Sequence, residues 1–166
     1  MSASYERQYL DILAELVRKA EKGKWKTDPQ GVGEMDAVLG VLLVVTAVVT
    51  VAYWLDFFFR GTVQAVEEEW YLRFERAFPV ADGWMAACSL VSAVGLFTAS
   101  SYGTVFGLLA AGALVFLGLM DLTFNLQNGM FRLLPGSGQM WVEVVIVVWC
   151  LALGGTLAAY LSGRVG

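Results

Sequence analysis

The residues VLGVLLVVTAVVTVAYWL, positions 38–55, contain no charged side chain. In water so many β-branched residues would favour extended backbone. In hydrocarbon the rule differs, because every backbone N–H and C=O must find its partner within the segment, and only a helix achieves that for a lone run. The stretch is therefore expected to be a membrane-spanning helix.

It has company. Apolar runs lie at Asp36–Phe59, Val80–Ser100, Gly103–Phe124 and Gln139–Gly163. Each is roughly 20 to 25 residues long, enough to cross a core of about 30 Å at about 1.5 Å per residue. Across the 166 residues, 58% are hydrophobic and mean hydropathy is +0.64. Soluble domains usually hold about 45–50% apolar residues. The expected fold is an all-α integral membrane four-helix bundle, with spans at about 36–59, 80–100, 103–124 and 139–163. The chain reads as one membrane domain, 1–166, with a cytoplasmic helix and linker (1–35) before the four-span bundle (36–166). The first apolar run is too long and too late for a cleavable signal, so it is expected to remain as an anchor.

Several chemistries are unsupported. The chain has no histidine, which removes histidine-ligated haem or metal and imidazole acid–base catalysis. A formal charge of −4 with no basic patch points away from nucleic acid. Cys88 and Cys150 lie in different runs without CxxC spacing and read as small core residues.

Arg18, Lys19, Lys22, Lys24 and Lys26 precede the first span closely, whereas the loops opposite hold Arg60, Arg73, Arg76 and Arg132. The positive-inside rule then places both termini in the cytoplasm of a cell membrane. The segment YERQYLDILAELVRKAEK is amphipathic at helical spacing, suited to a membrane surface or a partner. In GTVQAVEEEWYLRFERAFP, residues Val63, Val66, Trp70, Phe74, Ala77 and Phe78 form a second helical stripe that Pro79 ends. It reads as a short interfacial helix in the first outer loop, with Glu69–Arg73 as an i, i+4 pair.

Each span carries one acid near its outer end: Asp56, Asp82, Asp121 and Glu143. Inward from Asp121 run Gly118, Leu114, Ala111 and Gly107; from Asp82, Ala86, Ser89 and Ala93; from Glu143, Val147, Cys150 and Gly154; from Asp56, Tyr53, Val49 and Thr46. Small residues mark surfaces where membrane helices approach closely, so the acids are expected to face the bundle. Three readings stand open. The acids reach water or pair with the loop arginines. Alternatively, Asp56, Asp82, Asp121 and Glu143, with Asn125 beside them, hold an oxygen-ligated divalent cation. Or they form the polar mouth of a cavity for an amphiphile with a cationic head, walled by Trp54, Trp70, Trp84 and Trp141, with Glu75 and Arg76 as lid residues. The tryptophans also fit an interfacial aromatic belt. Gly155, Ala159 and Gly163 form a small-xxx-small ladder expected to pack within the bundle, a second copy being the alternative.

No nucleophile–base pair is visible. The expected function is a binding or accessory membrane protein, in contact with lipid and open to a homodimer or larger complex. Carboxylate acid–base catalysis on a lipid or sterol-like substrate, and cation or proton transport by an oligomer, are the alternatives.

Overall fold

The computed structural model describes residues 33–165. The expected N-terminal amphipathic helix and its linker lie outside the described residues, except that Gly33 caps the first span. The elements are α1 (Glu34–Phe59), α2 (Glu69–Glu75), α3 (Pro79–Phe97), α4 (Ser101–Gln127), a 3-10 turn (Met130–Leu133) and α5 (Gly138–Ser162). Four stretches, Glu34–Phe59, Glu69–Phe97, Ser101–Gln127 and Gly138–Ser162, are long and apolar enough to cross a membrane. The protein is thus an all-α, multi-pass membrane bundle.

Local chemistry sets the element ends. Pro79 opens α3, where its missing N–H is no loss. Asn128 caps α4 and Gly129 follows at φ 65°, a left-handed position that glycine adopts freely. α3 and α4 are joined only by residues 98–100, so they form an antiparallel hairpin.

Packing runs serially, α1 on α3, α3 on α4, and α4 on α5. Leu39, Leu43, Leu96, Leu114, Leu157 and Leu161 fill the interior, and Tyr71, Met130 and Met140 form a smaller cluster under the loops. The α3–α4 crossing is the tightest. A Cβ on Gly95 would lie 2.4 Å from the Gly103 backbone. Ser92 donates across the same crossing to the Gly103 carbonyl at 2.8 Å, a backbone approach that small residues permit.

Two expectations change and one holds. The helix of the first loop covers only Glu69–Glu75, while Val63 and Val66 lie in irregular chain before it. The Glu69–Arg73 pair forms at 2.6 Å, exposed on both sides. The ladder Gly155, Ala159 and Gly163 is exposed rather than packed within the bundle. The inner face of α5 is instead Val147, Cys150, Gly154, Leu157 and Leu161.

Gly95→Ala should destabilise the protein by about 1–3 kcal/mol through overpacking, measured by unfolding in mixed micelles. Gly112→Ala, where a Cβ meets nothing within 4 Å, should be neutral or slightly stabilising.

Candidate functional site

The loop end of the bundle gathers the C-termini of α1 and α4 with the N-termini of α3 and α5. Just inside it lies a cavity of about 280 Å³. α1 supplies Val45, Thr46, Val49, Thr50, Tyr53 and Trp54, and α5 supplies Val145, Ile146, Trp149 and Cys150. Four carboxylates reach it, Glu75, Asp82, Asp121 and Glu143, and no lysine or arginine lines it.

Glu143 is the most enclosed of these, at 5% exposure. Its Oε1 accepts from Tyr53 Oη at 3.2 Å and from Tyr71 Oη at 3.3 Å. Both bonds fall on one oxygen. Tyr71 sits one helical turn before Glu75 and contacts it as well, so α2 folds over the site with two polar groups facing inward. Stacking fixes that lid: Phe74 lies on Phe124 of α4 with centroids 3.6 Å apart and planes 5° apart. Asp82 accepts from Trp54 Nε1 at 2.8 Å. Asp121, half-buried, accepts no hydrogen bond from the described residues.

Asp82, Asp121 and Glu143 of the expected tier line one cavity together with Glu75, and the other candidate residues do not. Asp56 turns into the loop, where its Oδ2 accepts from Thr62 Oγ1 at 2.7 Å and Val63 N at 3.0 Å. It organises the turn after α1 instead of joining the tier. Asn125 is buried but does not line the cavity. Arg76 is exposed and also absent from the lining, so of the two lid residues only Glu75 faces the site. Trp84 is 57% exposed and borders a separate shallow groove between α3 and α4. Trp70 and Trp141 are exposed too, leaving Trp54 as the one belt tryptophan turned into the cavity.

The cation set Asp56, Asp82, Asp121 and Glu143 is not assembled. Among the described residues, no group of three or more His, Cys, Asp or Glu is placed to hold a metal ion. The loop arginines do not neutralise the cavity acids either. The ion pairs among the described residues are Arg73–Glu69 and Arg164–Asp36.

The sequence reading missed Tyr53, Tyr71 and Trp149 as site groups. Tyr53 had a signal, since it stood on the stripe inward of Asp56. Tyr71 had none beyond its place four residues before Glu75. Also missed was Asp36, 7% exposed at the far end of α1. It binds Arg164 at 2.8 Å and accepts from Tyr160 Oη at 3.2 Å.

No protein-family model matches the chain, and no solved structure matches it. The histidine protein kinase DivJ of Caulobacter vibrioides is 41% identical over 85 residues. That stretch covers 51% of this chain and 12% of the kinase, so the chain spans only a small part of that relative's length.

Tyr53→Phe and Tyr71→Phe should each cost about 0.5–1.5 kcal/mol, because the other phenol still serves Glu143. The double variant should lose more than the sum, since it strands a buried carboxylate. Unfolding of the three variants in mixed micelles checks this.

Proposed function

We propose that this chain is a ligand-binding membrane domain of a signalling protein, taking a positively charged head group of an amphiphile into the acidic cavity. One observation carries the reading: four carboxylates share an apolar cavity in which no basic side chain lies. Acids inside a membrane protein are costly unless paired, hydrated or bound to something. A cationic group among Asp82, Asp121 and Glu143 would supply the missing charge. Tyr53, Trp54 and Trp149 line the same space, and their ring faces suit an ammonium centre.

The signalling part of the proposal is supported by the likeness to part of a histidine protein kinase. The 166 residues hold no histidine, so phosphotransfer to an imidazole would belong to another segment or another chain. This domain would provide the input. Its route outward would be the Asp36–Tyr160–Arg164 cluster, which ties the first span to the end of the last.

Thermal unfolding in a non-ionic detergent tests the binding reading. Dodecyltrimethylammonium at about 100 times its Kd should stabilise the protein by about 2.7 kcal/mol, a rise of roughly 5–10 °C for a chain of this size. Asp121→Asn combined with Glu143→Gln should remove most of that rise. An equal rise with dodecyl sulfate, or an undiminished one in the variant, would contradict the proposal. The signalling reading is tested apart, by fusing the domain to a histidine-kinase catalytic region. Autophosphorylation that ignores the amphiphile would remove it.

A further inference from the structure

α1 and α5 do not pack closely on one another: α1 leans on α3, and α5 on α4. Polar side chains span the gap between them. Tyr53 meets Glu143 near the loop end, Trp149 Nε1 donates to Thr46 Oγ1 at 2.9 Å midway, and Tyr160 and Arg164 hold Asp36 at the far end. The α1 partners descend as the α5 partners climb, the register of an antiparallel pair. From Tyr53 to Asp36 the rungs extend over about 25 Å of helix, most of a membrane's hydrocarbon thickness.

Between the rungs the seam is open. Val45, Val49 and Val145 line the cavity and are also 43%, 55% and 62% exposed. These three valines form the rim at which the cavity comes nearest the outside. That outside is at the depth of the spans, where the surroundings are lipid.

Size narrows the occupant. At about 280 Å³ the cavity equals roughly nine waters' share of liquid volume, the lower edge of small-molecule sites at about 300–1,000 Å³. A head group and its first carbons fit; a whole amphiphile does not. The remaining chain has to lie elsewhere, and leaving it in lipid exposes no apolar surface to water.

Resting on the head-group reading above, we infer that the ligand is an alkylammonium amphiphile that reaches the cavity sideways, from the bilayer, between α1 and α5. Its head sits among Asp82, Asp121 and Glu143. Its chain passes Val49 and Val145 into lipid, beside Trp149, which is 37% exposed at the seam.

The test uses the protein in lipid nanodiscs, with 12-bromododecyltrimethylammonium quenching tryptophan fluorescence. Saturable quenching is expected, and it should fall sharply in Trp149→Phe and in Asp121→Asn with Glu143→Gln. Val49→Phe with Val145→Phe, which narrows the seam, should slow its onset at least tenfold. Val48→Phe with Val148→Phe, at exposed positions outside the lining, should leave onset unchanged. Tetramethylammonium should displace the probe at least a hundredfold less well than dodecyltrimethylammonium. Unchanged onset in the seam variant, with carboxylate-dependent quenching intact, would overturn access from lipid and leave the head-group reading standing. Equal displacement by tetramethylammonium would overturn the amphiphile. No saturable quenching of the wild-type protein would sink both readings together.

Discussion

Glu75, Asp82, Asp121 and Glu143 come from four different helices into one apolar cavity, and no cation of the described residues reaches them. A lone charge in a low-dielectric site is far more expensive than the same charge at a surface. The structure answers part of that cost with hydrogen bonds, from Tyr53 and Tyr71 to Glu143 and from Trp54 to Asp82. Those three donors tie α1 and α2 to α3 and α5. The arrangement of the loop end therefore depends on satisfying the acids, with Asp121 left over.

The rest of the bundle makes the cavity possible. In lipid there is no hydrophobic drive between helices, so association rests on close packing and interhelical hydrogen bonds. Gly95 against Gly103, and Gly154 against Ala111 and Val115, draw α3, α4 and α5 together. α1 joins that block through α3, and its approach to α5 is bridged by polar rungs instead of interlocked side chains. Weak packing on one seam is what leaves room for a site there. The aromatic stack of Phe74 on Phe124 then closes the cavity from above by seating α2.

Much of this was legible in the sequence. The four spans were readable because length and charge exclusion are strong constraints in a membrane. The inner faces of α3, α4 and α5 were readable from their small residues: Ala86, Ser89, Ala93, Gly107, Ala111, Gly118 and Gly154 are all buried. α1 resisted because lipid is as apolar as the interior, so a run of valines carries no sidedness; Val49 is exposed while Leu39 and Leu43 are core. Asp56 misled for a local reason. It is close enough to the end of α1 for its carboxylate to capture Thr62 and the Val63 N–H, a bond the spacing of four acids does not reveal. The ladder on α5 misled because the buried stripe runs through Cys150, Leu153, Gly154, Leu157 and Leu161, and Gly155 and Ala159 fall just outside it.

The most direct measurement is photo-crosslinking with an alkyltrimethylammonium probe carrying a diazirine two or three carbons from its head, followed by peptide mapping of the labelled protein. Labels concentrated on Val49, Val145, Ile146 and Trp149, and suppressed by Asp121→Asn with Glu143→Gln, are the predicted result. Labels spread over lipid-facing positions such as Val91, Val105 and Phe116, with no response to the carboxylates, would contradict an acidic head-group site between α1 and α5.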